Sequence, residues 1–146
     1  MRKFVLIGIA GLLAAGELKA ERYVYATPDG YTGAQARTAC ADGYHFASIV
    51  ELYDFSSLIW DSTLGGEKSD SGKGIPIGLE AWVRSGIDGS DPALNCSDWT
   101  SNDPGQQGLW ANIRYDFQNP EAPLNLIWEG SRISCDTEFR VYCISD

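Results

Sequence analysis

Met1-Arg2-Lys3 opens the chain on positive charge. Phe4 to Gly16 follows as an apolar run interrupted only by glycines, and Glu17 then turns the chain polar. A charged start and an apolar stretch of this length are the layout of a secretory signal peptide. The run falls short of the ~20 apolar residues a membrane span requires. Cleavage is expected after Ala20, with Leu18 at −3, or after Gly16, with Ala14 at −3. Residues 1–20 are thus read as a leader and 21–146 as one domain. A retained N-terminal anchor is the competing reading, disfavoured by the shortness of the run and the small residues that end it.

Beyond the leader the pattern changes every few residues. Arg22–Ala26 alternates as a short strand, and Thr27-Pro28-Asp29-Gly30 has the chemistry of a turn. A helix is predicted from Thr32 to Ala41, because Ala36, Ala39 and Cys40 share a face at helical spacing. Gly43 stands just past its end, where a C-cap glycine belongs. A second helix is predicted over 48–61. Ser48 can cap it with Glu51 three residues on, and Ile49, Leu52, Tyr53, Phe55 and Ile59 give it an apolar side. Residues 65–74 read as a glycine-rich loop and 75–84 as a strand around Trp82. Residues 86–108 show no periodicity, which in a compact domain marks a long loop of functional or irregular character. Short strands are predicted near 109–113, 125–128 and 139–144.

Composition narrows the partners. The formal charge is −9; losing Arg2, Lys3 and Lys19 with Glu17 takes the mature chain to −11. An acidic surface argues against nucleic acid and anionic membrane as partners, both of which require basic patches. It is compatible with divalent cations or uncharged ligands.

The four cysteines, Cys40, Cys96, Cys135 and Cys143, are an even set in an exported chain and read as two disulfides. A zinc site is disfavoured: the gaps between cysteines are 55, 38 and 7 residues, and His45 is the single histidine. Three connectivities are open. Cys40 on an apolar helix face and Cys143 on the inward side of the last strand favour one bond. Cys96 and Cys135 are left for the other, which would pin the long loop.

The order of these elements resembles the C-type-lectin-like fold. A helix bears the first cysteine, a second helix follows, a strand surrounds a tryptophan, a long loop holds the second cysteine, and a closing strand has C-x7-C spacing. Ile77 to Val83 looks like the central-strand signature of that fold in degenerate form. The stretches Gly33–Cys40, Gly43–Ile49, Asn95–Ser101 and Val141–Ile144 are similar to the endostatin-like and bacterial secreted lectin-like branch. The resemblance implies an α+β fold with two helices packed on a small twisted antiparallel sheet. It also implies first-with-last and second-with-third disulfides. The calcium-dependent sugar triplet of the family is missing. Gln118-Asn119-Pro120-Glu121 has the wrong order, and Trp128-Glu129-Gly130 stands where Trp-Asn-Asp is usual.

Candidate chemistry therefore has to come from the residues themselves. Asp88, Asp91, Asn95, Asp98 and Asp103 offer oxygen ligands for calcium, which takes six to eight; the plain alternative is a solvated loop of turn-forming Asp and Asn. Trp110, Tyr115 and Trp128, with Asn102 and Asp103, are candidates for a ligand surface, since aromatic faces with polar edges suit binding. Trp82 and Trp99 are expected in the core. His45, between two aromatics, reads as a packed or hydrogen-bonded structural residue, so no catalytic residue is assigned. Asn95-Cys96-Ser97 matches a glycosylation sequon. The expectation is a secreted, extracellular or periplasmic binding module, non-catalytic, taking a glycan or an extracellular protein through residues 86–120. A structural envelope or matrix component and a small hydrolase are the alternatives.

Overall fold

The computed structural model describes residues 21–66, 72–85, 95–113 and 128–146; of Phe55, Trp128 and Glu129 it describes the backbone alone. Residues 1–20, the expected leader, lie outside the described residues. The fold is α+β: among the described residues, a mixed seven-stranded sheet with four one-turn helices around it. The strands are β1 (Arg22–Ala26), β2 (Tyr44–Phe46), β3 (Leu58–Trp60), β4 (Ala81–Trp82), β5 (Gln107–Ile113), β6 (Trp128–Ser134) and β7 (Arg140–Ser145). Their order is β3-β1-β7-β4-β5-β6, with β2 also pairing β7. The helices are α1 (Gly33–Ala36), α2 (Ile49–Leu52), α3 (Ser62–Gly65) and α4 (Cys96–Trp99). Among the described residues no helix is long and apolar enough to cross a membrane.

The centre of the sheet is β7. Val141, Tyr142, Cys143 and Ile144 are all fully buried, as expected of a strand covered on both faces. On one side β7 pairs antiparallel with β1, at Val24↔Ile144 and Ala26↔Tyr142. On the other it meets β2 antiparallel at His45↔Ile144 and β4 parallel at Trp82↔Val141. Thr27 stitches the β1 end to it: Val141 N–H donates to Thr27 Oγ1 at 2.9 Å, and Thr27 N–H donates to Val141 O at 3.0 Å.

The sheet is mixed, not antiparallel, because β1–β3 and β4–β7 run parallel. Both helices expected from spacing shrink to one turn. The N-terminal signals act as read: Gln35 Oε1 accepts from Thr32 N–H at 3.0 Å, and Ser48 with Glu51 forms a capping box. Continuation is what fails. Past Ala36 the chain departs so that Cys40 reaches Cys143, with Cα atoms 5.7 Å apart, and Ala41 N–H donates to the Tyr25 hydroxyl. Past Leu52 a 3₁₀ turn at Phe55–Ser57 leads into β3, where Leu58, Ile59 and Trp60 pair with β1. A β-branched and aromatic triplet beside an open strand edge gains more from the sheet than from another helical turn. Gly43 is accordingly no helix cap; it takes φ +80° in the turn into β2.

The predicted strand over 75–84 reduces to Ala81–Trp82, since Gly78 at φ +85° turns the chain before it. Residues 86–94 of the expected loop over 86–108 lie outside the described residues, and the part from Asn95 onward is structured. It contains α4 and the first residues of β5. Of the strand expected over 125–128, residues 125–127 lie outside the described residues; Trp128–Ser134 forms β6.

Candidate functional site

The stretch from Asn95 to Gln106 is the part of the long loop that the structure describes, and it is fastened to the core at several points. Cys96 bonds Cys135, with Cα atoms 5.6 Å apart, and both residues are fully buried. Gly33 and Gly108 flank the sulfur: a Cβ on Gly33 would collide with Cys96 Sγ, and one on Gly108 would lie 2.7 Å from it. Glycine at both positions is therefore a packing requirement. Gly33 N–H donates to Cys135 O at 2.8 Å, and Cys135 N–H donates to Gln106 O at 3.0 Å. All four cysteines are paired, Cys40 with Cys143 and Cys96 with Cys135.

Inside this clamp α4 winds left-handed. Cys96, Ser97, Asp98 and Trp99 have φ of 49°, 52°, 58° and 59°. Left-handed turns of non-glycine residues cost about 1–2 kcal/mol per residue and persist where their surroundings over-determine them. Here Trp99 N–H donates to Asn95 O at 2.6 Å and Thr100 N–H to Cys96 O at 3.1 Å. Trp99 packs edge-on against Phe46 at 4.6 Å and against Trp82 at 5.6 Å between ring centroids. Trp82 is fully buried, and its indole N–H donates to Tyr31 O at 2.7 Å. Trp82 and Trp99 are thus core residues, as their sequence context predicts.

The sequence candidates in this loop are engaged in building it. Asn95 is buried, and its Oδ1 accepts from Asp98 N–H at 3.1 Å, so the residue that opens the sequon also caps the turn. Asn102 Oδ1 accepts from Ala34 N–H at 2.9 Å, docking the loop on the first turn of α1. Asp103 Oδ1 accepts from Gly105 N–H at 2.7 Å. Asp98 is exposed and lies 4.0 Å from Arg37. Among the described residues no three His, Cys, Asp or Glu side chains gather as a metal site. Asp88, Asp91 and Tyr115 lie outside the described residues, as does the Trp128 side chain. Trp110 is half-buried on β5 and stacks on Phe139 at 6.1 Å with an interplanar angle of 18°.

A second cluster, which the spacing of the sequence did not reveal as a unit, centres on Glu51. Its Oε2 accepts from Ser48 N–H at 2.9 Å and from the Ser48 hydroxyl at 2.7 Å. Its Oε1 lies 2.9 Å from His45 Nε2 and 3.3 Å from Arg22 Nη2, and Arg84 Nη2 approaches Oε2 at 3.6 Å. Burial would raise the Glu51 carboxyl, but the Ser48 amide, His45 and the Ser48 hydroxyl more than offset it, holding the group down at about 2. His45 Nδ1 lies 2.7 Å from Asp146 Oδ1, so the imidazole bridges two carboxylates instead of meeting a serine hydroxyl. The capping box was the one signal pointing here; Arg22, Arg84 and Asp146 converge only through strand pairing.

A third polar contact ties Tyr44 to α3. Its hydroxyl donates to Asp61 Oδ2 at 2.8 Å, while Asp61 Oδ1 caps the helix by accepting from Thr63 and Leu64 N–H. Burial, reinforced by this carboxylate, pushes the Tyr44 phenol up to about 12. No protein-family model, curated protein or solved structure matches the chain.

Proposed function

We propose that this chain is an exported, non-catalytic binding module of C-type-lectin-like fold. Its ligand surface is the loop region 86–120, and its ligand is a glycan or an extracellular protein. One observation carries the reading. The left-handed turn at Cys96–Trp99 is locked by a buried disulfide, an aromatic cluster and a docking bond to α1, so the loop is displayed on a rigid support. Loops held this way on a scaffold are where binding residues concentrate. Two disulfides that use every cysteine fit an oxidising compartment. Their wiring, first with last and second with third, is that of the resembled family. His45, held between Glu51 and Asp146, favours a structural over a catalytic role.

A glycan array and a pull-down from extracellular extracts, both with the oxidised mature domain, test the proposal. Binding that is lost when Trp110 is replaced by alanine supports it. Two blank results with protein shown to be folded by near-ultraviolet dichroism overturn it.

A further inference from the structure

Histidine is the side chain whose ordinary change of charge falls between about pH 5 and pH 8. His45 is the one histidine of the chain, and its side chain is 35% exposed, so it exchanges protons with solvent. Both of its ring nitrogens face carboxylate oxygens. Nε2 lies 2.9 Å from Glu51 Oε1, and Nδ1 lies 2.7 Å from Asp146 Oδ1. A neutral imidazole carries one N–H; it donates to one of these oxygens and turns a lone pair towards the other. The imidazolium donates to both. The bridge between the two carboxylates therefore matches the protonated ring.

The surroundings divide the two contacts unequally. Among the described residues the charged groups around the ring are Arg22 from β1, Glu51 from α2, Arg84 after β4 and Asp146 after β7. Glu51 has donors besides His45: the Ser48 amide and hydroxyl at Oε2, Arg22 3.3 Å from Oε1, and Arg84 3.6 Å from Oε2. The two arginines oppose a positive ring, and with Ser48 they hold Glu51 in place whichever form the ring takes. Asp146 is 68% exposed, and among the described residues His45 is the one partner of its side chain. Loss of the ring proton thus removes the Asp146 contact and spares the Glu51 contact.

What Asp146 fastens is the end of β7. Ile144 pairs with His45 and Ser145 with Tyr44, and Asp146 N–H donates to Gly43 O at 3.1 Å. Ile144 is fully buried between β1 and β2, which sets the limit of any opening. We infer that His45 is a proton-operated clasp: the imidazolium ties Asp146 to Glu51 on α2, and the neutral ring releases Ser145 and Asp146. Closing takes up a proton, so the clasp shuts as the pH falls and opens as it rises. A local change of charge thereby sets the state of a two-state segment. The device takes no ligand and is independent of the loop surface proposed above.

Heteronuclear magnetic resonance on the oxidised mature domain between about pH 5 and pH 8 tests the clasp. Imidazole nitrogen shifts report which ring nitrogens carry hydrogen, and amide relaxation reports order at Ile144, Ser145 and Asp146. At the acid end both nitrogens are protonated and all three amides are ordered. As the ring loses its proton, the Asp146 order parameter falls from about 0.85 to below about 0.6, while Ile144 is unchanged. Asp146→Asn abolishes this dependence, because an amide accepts from a protonated Nδ1 and donates to a bare one. A ring whose protonation stays constant through the range, or Asp146 order that does not follow the ring, overturns the clasp. The same dependence in Asp146→Asn overturns it too. The first two outcomes require only the unaltered protein.

Discussion

Replacing Glu51 by glutamine removes a negative charge while keeping an oxygen at the third helical position, where glutamine also serves a capping box. The substitution therefore isolates the charge from the cap. In the folded chain that charge faces His45 at 2.9 Å, Arg22 at 3.3 Å and Arg84 at 3.6 Å. The fall of the carboxyl from its ordinary 4.5 to about 2 corresponds to an upper bound of about 3 kcal/mol. Arg22, His45 and Arg84 are 35%, 35% and 45% exposed, so solvent screens the interaction, and about 1–2 kcal/mol is the expected share. The folded group binds its proton less readily than the unfolded one, so this stability is full above about pH 5. It is lost as the pH falls through the interval from 4.5 to about 2. Thermal melts of both proteins between about pH 6 and pH 2 read the effect. Glu51→Gln should be less stable near pH 6, with a melting temperature lower by roughly 5 °C. The gap between the two should close towards pH 2. Equal stability near pH 6, or a gap that keeps its size on acidification, refutes the account of Glu51 as a charge hub.

Other outcomes follow from the clamp around the loop. Gly108→Ala sets a methyl 2.7 Å from Cys96 Sγ and 2.9 Å from the Trp82 ring, and should cost about 1–3 kcal/mol in a denaturant melt. Joint replacement of Cys96 and Cys135 by alanine opens a cross-link of sequence separation 39 and should cost about 4 kcal/mol at most. Part of that loss is returned as the left-handed turn relaxes, visible as changed Ser97 and Asp98 amide shifts. Melting temperatures in calcium and in EDTA should coincide, because Asn95 and Asp103 already spend side-chain oxygens on backbone amides. A rise of several degrees with calcium would overturn that expectation.

Much of the frame was legible in the chain before folding. The apolar run after Met1-Arg2-Lys3 and an even cysteine count argue for export and two disulfides, since both readings depend on composition and order alone. Thr32 and the Ser48–Glu51 pair announced helix starts correctly, because capping is a bond between residues three apart. The alternation of Phe139, Val141 and Cys143 marked the inward face that carries the bond to Cys40.

Where those helices stop was decided by distant partners. Ile49, Leu52, Phe55 and Ile59 keep helical spacing, yet β1 offers Leu58–Trp60 a strand edge that no local pattern discloses. The same holds for the sites. Trp82 and Trp99 looked like core and are core, while Asn102 bonds the first turn of α1 and Asp103 a turn of its own loop, ties that no local pattern discloses. The Glu51 cluster draws on residues 22, 45, 84 and 146. Capping, alternation and cysteine parity act over a few residues or over the whole composition, and so the sequence alone determined the two disulfides and the helix starts. Strand order, parallel pairing and the left-handed turn depend on contacts between segments far apart in the chain, and only the tertiary structure decided them.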